Sequence, residues 1–409
     1  MAAAVIGNVL EWYDFAVYAY LATVIAKLFF PTGDEVSALL ATFATFGVGF
    51  VLRPLGAIVI GRLGDRNGRK AALSITIGLM ALGTLLIGLA PTYASWGAGA
   101  TAVVVVARLI QGFSAGGEWG SATAFMVEWA PEGRRGFYGS LQQCSVAGGL
   151  LLGAATSALI SSLLSEAALM DWGWRVPFLL GALIGPVGWY LRRHIDDTPV
   201  FRAQAASPRP ALSAALVAQA FGFTVLWTVS YYIVLTFLPT FFQQHVQLTR
   251  TQALWSTATA LLLLVIVSPL FGHWSDRIGR KPLLMAACVA FMVLPYPLLN
   301  LMTAQSSLVL AMACQALLTL AIASFSGPGP AAIAEIFPTA SRATGMSVGY
   351  SVAVAVFGGF SPFIATWLIA KTGSASAPAW YLMGAAMVTL VTLWRLPESA
   401  YRQLESDGA

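Results

Sequence analysis

Five ionisable side chains stand inside long apolar stretches of the first half of the chain, and their types can do chemistry together. They are Glu11, Asp14, Arg53, Arg108 and Glu118. A charge at the centre of a membrane-spanning helix costs about 2.5–3.5 kcal/mol on insertion scales, so such a residue is a functional candidate by default. A carboxylate that alternates between apolar surroundings and a nearby arginine can take up and release a proton. An arginine can bind a carboxylate through two parallel hydrogen bonds.

The carboxylates are the expected proton carriers, with Asp14 and Glu118 ahead of Glu11. Glu118 comes ten residues after Arg108. That separation is about 15 Å of helix, so Glu118 is predicted to face another helix or a cavity. Asp14 shares a helical face with Glu11 and is expected either to face a cavity or to pair with an arginine, Arg53. Glu11 is expected to lie nearer the membrane surface.

The expected substrate-binding residues combine two arginines with neutral polar groups. Arg108 and Arg53 suit a carboxylate. The apolar stretches of the second half contain no ionisable side chain in their interiors, so that half is expected to offer neutral hydrogen-bonding groups instead. The neutral candidates in both halves are Tyr18, Gln111, Gln142, Trp227, Tyr231, Tyr232, Asn300, Gln315 and Tyr350.

The composition shows what kind of molecule must position these residues. The chain has 409 residues, of which 58% are apolar and only 10% are charged. Soluble domains have about 25% charged residues, so an ordinary soluble enzyme, a disordered chain and a nucleic-acid binder are excluded. The three cysteines are an odd number without a CxxC pair, which supports neither a disulfide framework nor a zinc site. A polytopic membrane protein remains.

Twelve apolar segments are long enough to cross a bilayer, for which a helix needs about 20 residues. An all-α fold with twelve transmembrane helices is therefore predicted. The segments span 5–27, 37–61, 72–90, 101–129, 137–164, 172–191, 211–243, 252–272, 282–302, 306–336, 343–370 and 379–396.

The distribution of lysine and arginine predicts the orientation. Loops that join even-numbered to odd-numbered segments, together with the C-terminal tail, hold sixteen of the 22 basic residues, whereas the opposite loops hold three. Basic residues accumulate on the cytoplasmic side. Both termini are therefore expected in the cytoplasm, and the bacterial inner (plasma) membrane is the expected location.

An internal repeat divides the chain into two halves. Residues 61–70 (GRLGDRNGRK) and 272–281 (GHWSDRIGRK) match at six of ten positions. Two six-helix bundles at 1–191 and 211–409, joined by a cytoplasmic linker at 192–210, are predicted around a pseudo-two-fold axis with the substrate site between them. The repeated loops and a second repeated Glu/Arg pair are expected to gate the cytoplasmic side. These residues are Gly61, Asp65, Arg66, Gly68, Arg69, Asp276, Arg277, Gly279, Arg280, Glu128, Arg135, Glu335 and Arg342.

The loop motif resembles the signature of the major facilitator superfamily. Blocks such as GNVLEWYDF (7–15), RLIQGFSAGGEWGSA (108–122) and EIFPTASRATG (335–345) are similar more narrowly to the metabolite:proton symporters. That family includes citrate, 2-oxoglutarate, shikimate and proline/betaine carriers. The resemblance implies alternating access, and RLIQG resembles a motif associated with proton coupling.

The expected function is proton-coupled import of a small organic anion, with a di- or tricarboxylate such as citrate first. Import of a zwitterion such as proline or betaine is the alternative, and a drug or metabolite efflux antiporter is the second alternative. No enzyme activity, cofactor, metal or nucleic-acid partner is expected. The partners are the organic-acid substrate, protons and the lipid bilayer, and the chain is expected to be a monomer, as is usual in the resembled superfamily.

Overall fold

The computed structural model describes residues 2–67, 69–116, 118–193, 213–338 and 341–401, and the regular structure in these ranges is helical. The helices of the first half are α1 (Ala2–Tyr20 and Ala22–Phe29), α2 (Glu35–Val51 and Arg53–Asn67), α3 (Arg69–Leu89), α4 (Ala98–Ser114 and Glu118–Glu128), α5 (Arg135–Leu163) and α6 (Arg175–Arg193). Those of the second half are α7 (Ala214–Tyr231, Tyr232–Phe237 and Leu238–His245), α8 (Arg250–Ile278), α9 (Arg280–Val293 and Pro295–Ala304), α10 (Leu308–Ser326 and Gly329–Ala334), α11 (Arg342–Ala353, Val354–Gly358 and Ser361–Thr372) and α12 (Pro378–Arg395). Each helix overlaps one predicted segment. Most of the predicted linker lies outside the described residues.

The helices have the length and composition of membrane spans. Six of them are long and apolar enough to cross a bilayer by those two criteria within the described ranges. The two segments of α9 meet at an angle of 45° and would form a seventh. The bend falls at Pro295, which lacks the N–H that continues a helical hydrogen-bond ladder.

Two helices contain a wide π-helical stretch at matching places in the second half. In α7 it covers Tyr232–Phe237, and in α11 it covers Val354–Gly358. Such stretches concentrate at functional sites because they shift the register of the side chains that follow. Both stretches lie where the last six helices meet the first six.

The two sets of six helices meet along α5 and α8, with further contacts between α4 and α11 and between α1 and α7. Gly136 and Gly272 face each other at one close contact along α5 and α8. A Cβ added to Gly136 would lie 2.4 Å from the carbonyl oxygen of Gly272, and one added to Gly272 would lie 2.5 Å from that of Gly136. Glycine is therefore needed at both positions for the backbones to pack this closely.

The repeated decapeptide is mostly helix, where a loop was predicted. Gly61 lies inside α2, which continues to Asn67, and Gly272 lies inside α8, which continues to Ile278. The chain turns only at Gly279, whose φ of 98° is a conformation that glycine adopts without steric cost. Gly279 therefore marks the end of a helix, whereas Gly61 does not.

Candidate functional site

A small cavity lies between the first six and the last six helices. Five of its eight lining side chains are aromatic, and none carries a formal charge. Three come from α1 and α5, and five come from α7 and α11. They are Trp12, Gln143, Val146, Trp227, Thr228, Tyr231, Tyr232 and Tyr350.

Several polar atoms of this lining are buried without a hydrogen-bond partner among the described residues. They are the hydroxyl oxygens of Thr228, Tyr231 and Tyr232 and the side-chain oxygen of Gln143. Buried polar groups normally have a partner, so these atoms are available to a ligand. Trp227 is already engaged, because its indole N–H donates to Ser326 Oγ over 2.9 Å.

A buried ion pair lies beside the cavity. Arg53 Nη2 lies 3.2 Å from Glu11 Oε1 and donates to the carbonyl oxygen of Ala115 over the same distance. The guanidinium also lies 5.8 Å from the ring centroid of Trp12, which lines the cavity. A pair between Arg53 and Asp14 was one of the two alternatives, and Arg53 pairs with Glu11 instead. Glu11 is 6% exposed, because α1 places it against the break in α2.

A second polar chain is confined to the first six helices and links Asp14 to Arg108. Thr84 Oγ1 lies 2.5 Å from Asp14 Oδ2, Gln111 Nε2 donates to Thr84 Oγ1 over 2.9 Å, and Arg108 Nη1 donates to Gln111 Oε1 over 2.8 Å. All four side chains are buried. No direct ion pair joins Asp14 to an arginine among the described residues.

The proton on Thr84 can serve only one of two acceptors. Thr84 Oγ1 lies 3.0 Å from the carbonyl oxygen of Met80 and 2.5 Å from Asp14 Oδ2, and a hydroxyl has one hydrogen. When Thr84 donates to Met80, Asp14 must donate to Thr84, which requires a protonated carboxyl. The other oxygen, Asp14 Oδ1, is buried without a partner, which also fits a neutral carboxyl better than a carboxylate.

Aromatic rings surround the Arg108 guanidinium. Its central carbon lies 4.7 Å from the ring centroid of Phe15, 4.6 Å from that of Tyr18 and 5.1 Å from that of Phe46. These cation–π contacts stabilise a desolvated charge. The Tyr18 hydroxyl donates to the carbonyl oxygen of Thr42 over 3.1 Å, so Tyr18 contacts the arginine through its ring face.

Other expected site residues lie apart from the cavity lining. Asn300 is exposed near the end of α9, where its side chain bonds Tyr296 and Ser376, and it does not line the cavity. Gln315 is buried, but its amide is satisfied by Ser256, Thr257 and the carbonyl oxygen of Val234, which makes it a link between helices.

Gln142 is buried with both amide atoms unpartnered, next to the cavity-lining Gln143. Glu118 begins the second segment of α4, and its side chain lies outside the described residues.

One end of the molecule, which we call the motif end, carries the gating residues expected in the second half. Asp276 accepts hydrogen bonds from the backbone N–H groups of Gly136 and Phe137 over 2.8 and 3.0 Å, and so caps the start of α5 in the other half. Arg280 pairs with Asp276 over 2.6 Å and with Glu335 over 3.4 Å.

Two further ion pairs cross between the halves at the motif end. Arg342 pairs with Glu128 over 2.8 Å, and Arg135 pairs with Glu335 over 3.7 Å. The two pairs are equivalent under the internal repeat, since each joins an arginine of one half to a glutamate of the other. The expected first-half group of Gly61, Asp65, Arg66, Gly68 and Arg69 has side chains outside the described residues, and the side chain of Arg277 is exposed.

The start of α9 is capped by a residue that sequence reasoning missed. Glu398 accepts from the backbone N–H groups of Arg280 and Lys281 over 2.9 Å each. Partial burial opposes ionisation of Glu398, yet its backbone hydrogen bonds, which include Ser399 and Ala400, hold its pKa below the ordinary value. No local signal marks Glu398, because it lies more than a hundred residues from its partners.

At the opposite end, where α8 begins, an exposed clasp joins the halves. Arg250 donates to both carboxylate oxygens of Glu166 over 2.6 and 3.1 Å. These hydrogen bonds hold the pKa of Glu166 below its ordinary value. Deeper on this side, the Tyr20 hydroxyl donates to the carbonyl oxygen of Leu235 over 2.9 Å. Contacts between the halves therefore close both ends around the cavity.

Thr84 and Trp119 are the main site residues absent from the sequence predictions. Neither has an ionisable group, and although Trp119 lies within the block at 108–122, nothing in that block distinguishes it as a site residue. A threonine or tryptophan in an apolar helix is usually a packing residue. Within the described ranges, no group of three or more histidine, cysteine or acidic side chains is arranged to hold a metal ion.

Known proteins resemble this chain over nearly its whole length. Sequence profiles described as "Sugar (and other) transporter" and "Major Facilitator Superfamily" match residues 1–211 and 220–408. The chain is 34% identical to a proline/betaine transporter of Escherichia coli K12, over 98% of this chain and 84% of that protein. It is 36% identical to a citrate-proton symporter of Klebsiella pneumoniae, over 94% and 88% of the two chains.

The fold is also that of a solved transporter. A partially occluded, inward-open structure of the xylose transporter from E. coli matches with a TM-score of 0.80 at 18% identity, over 98% of both chains. The predicted all-α fold of twelve transmembrane helices in two six-helix bundles is thereby confirmed, and the relatives are transporters and not enzymes. The chain belongs to the major facilitator superfamily, among its proton-coupled metabolite symporters.

Proposed function

We propose that the chain imports a small zwitterion with a substituted ammonium group, such as betaine or proline, together with a proton. The observation that carries this proposal is the cavity lined by five aromatic side chains and no formal charge. Aromatic faces attract a substituted ammonium through cation–π interactions, which strengthen when water is excluded. The proline/betaine transporter of E. coli is a relative whose named cargo has this chemistry.

The carboxylate of such a substrate has suitable donors in the same cavity. The hydroxyls of Tyr231, Tyr232 and Thr228 are unpartnered. The nearby Arg53–Glu11 pair is electrically balanced, which matches a substrate of zero net charge. A fully ionised tricarboxylate would instead bring an excess of negative charge beside Glu11.

Asp14 is the proposed proton carrier. Its contact with Thr84 is compatible with both the protonated and the ionised carboxyl, and its buried, unpartnered Oδ1 favours the protonated form in this conformation. When Asp14 loses its proton, the chain through Gln111 places the positive charge of Arg108 in the same half to offset the new carboxylate. Proton binding is thus separate from the cavity, and substrate and proton meet only through the helices of the first half.

Transport follows from opening one end at a time. The basic loops place the motif end in the cytoplasm by the positive-inside rule, so the Arg250–Glu166 clasp faces the periplasm. Opening at the clasp admits substrate and proton, and opening at the motif end releases them.

A dicarboxylate or tricarboxylate is the second candidate, and one observation favours it. Two nitrogens each of Arg53 and Arg108 are buried without a hydrogen-bond partner among the described residues. A carboxylate that reached them would satisfy these donors. The citrate-proton symporter of K. pneumoniae is a relative with such a cargo in its name.

Uptake into proteoliposomes driven by a pH gradient tests the proposal. Radiolabelled betaine and proline should accumulate when the outside is acidic, and citrate should neither accumulate nor compete. Accumulation of citrate alone would replace the zwitterion by the anion. Uptake that persists after the gradient is collapsed would contradict symport.

Replacing the proposed carrier separates coupling from binding. Asp14→Asn should abolish accumulation against a gradient but leave exchange of external for internal substrate, because Asn cannot release a proton. Exposed Asp171→Asn is the matched control and should accumulate substrate normally. If Asp14→Asn still concentrates substrate, another carboxylate such as Glu118 carries the proton.

A further inference from the structure

We propose that Trp119 is a positioning residue that holds Tyr350 in place as a wall of the cavity, so that the substrate site is complete only while the motif end is closed. The proposal rests on the proposed role of the cavity as the substrate site. It adds a residue that lies behind the lining and does not touch the empty space itself.

The two rings stack face to face between the halves. Trp119 in α4 and Tyr350 in α11 have ring centroids 3.7 Å apart and ring planes 4° from parallel. Trp119 is 4% exposed and Tyr350 is 8% exposed. Trp119 also contacts the edge of Trp227, another lining residue, with centroids 5.9 Å apart. One ring of the first half therefore backs two aromatic walls contributed by the second half.

The stack depends on close packing of α4 against α11. At Gly120, next to Trp119, an added Cβ would lie 2.0 Å from Ser347 Oγ and 3.0 Å from the carbonyl oxygen of Ala343. The same helices carry the Arg342–Glu128 pair further toward the motif end. Separating α4 from α11 to open the motif end must therefore also separate Trp119 from Tyr350.

This geometry connects release of the substrate with opening of the gate. With Trp119 in place, Tyr350 is fixed and presents its ring to the cavity. Without Trp119, the Tyr350 side chain gains rotameric freedom. Substrate binding must then fix that side chain, which costs conformational entropy. The affinity should therefore be higher in the closed state than in the state open at the motif end, which favours discharge of the cargo.

Kinetics of betaine uptake in proteoliposomes test the inference. Trp119→Leu removes the stack and should raise the half-saturation concentration about two- to tenfold, the range expected for one aromatic pair. The maximal rate should change less. Trp119→Phe keeps a flat ring and should restore most of the affinity. Exposed Trp96→Leu is the matched control and should leave both constants unchanged.

A second variant acts on the same stack without altering either ring. Gly120→Ala should push α4 away from α11 and raise the half-saturation concentration in the same direction. Gly78→Ala is its control, since an added Cβ there meets nothing within 4 Å. If Trp119→Leu does not fold, Trp119→Phe and Gly120→Ala still test the positioning role of Trp119.

The outcomes separate this inference from the proposed function. The half-saturation concentration could be unchanged in Trp119→Leu or Gly120→Ala while Trp227→Leu loses binding. That result would overturn the positioning role and leave the cavity as the substrate site. Unchanged binding in Trp227→Leu as well would remove the cavity from the transport path and overturn both. Equal loss of affinity in Trp119→Phe and Trp119→Leu would also contradict a role through stacking.

Discussion

The two ends of the molecule close in different ways. At the motif end, the Asp276 and Glu335 side chains are each 3% exposed. Together they bind an arginine from each half, and Asp276 also accepts from two backbone N–H groups of the first half. At the opposite end, Glu166 has a 61% exposed side chain and one arginine partner. A buried network has no water to replace a lost partner, whereas an exposed pair is partly compensated by solvent. The motif end should therefore hold more firmly, and the clasp should open first.

The largest expected effect comes from breaking the motif-end network. Asp276→Asn removes the charge that pairs with Arg280 and weakens the cap on α5, and losing one partner of a buried pair costs about 3–5 kcal/mol. The population should shift toward an open motif end. Distances between spin labels at the exposed positions Arg134 and Arg277 should lengthen. Unchanged distances would show that the network does not set the closed state.

A wedge at the same end should have an intermediate effect. Gly272→Ala places a methyl group 2.5 Å from the carbonyl oxygen of Gly136, and such overpacking costs about 1–3 kcal/mol. The same pair of labels should report partial opening. Gly384→Ala is the control, because its methyl group would meet nothing within 4 Å. Equal distances between the labels in both variants would mean that the contact between α5 and α8 accommodates the added methyl group without opening the motif end.

The smallest expected effect is at the exposed clasp. Glu166→Gln should cost about 1 kcal/mol or less, and the difference from wild type should vanish in high salt. Distances between spin labels at that end, measured over a range of ionic strength, test this. A large and salt-independent effect would contradict the contrast between the two ends.

The clasp should also respond to pH in a defined direction. Arg250 lowers the pKa of Glu166 below the ordinary 4.5, so the clasp is complete above that value. Its contribution is lost as the pH falls through the lowered pKa, when the carboxyl becomes protonated. Opening of the wild-type clasp should therefore increase at strongly acidic pH, and Glu166→Gln should abolish that dependence.

The sequence predicts the helices well because their apolar lengths follow from the thickness of a bilayer. It also predicts that the buried charges beside the cavity, Glu11 and Arg53, belong to the first half. It does not predict partners across helices: Arg53 pairs with Glu11 and not with Asp14, since the rotation of α1 against α2 is set by packing of many apolar side chains. The sequence also does not distinguish a polar residue near the end of a span, such as Asn300, from one in its middle.

Residues without a charge are the hardest to recognise in advance. Thr84 acts through one hydroxyl and Trp119 through a ring face, and both types are common in apolar helices. Only the neighbouring side chains, brought together by folding, distinguish them from ordinary core residues.

The confinement of the Asp14–Arg108 chain to the first six helices has an evolutionary consequence. Mutations in α7 and α11 can reshape most of the cavity lining without altering the residues proposed to handle the proton. Cargo preference and energy source can then diversify independently, one through each half of an ancient gene duplication. Relatives that carry chemically unlike compounds on one shared architecture are what such modular inheritance would produce.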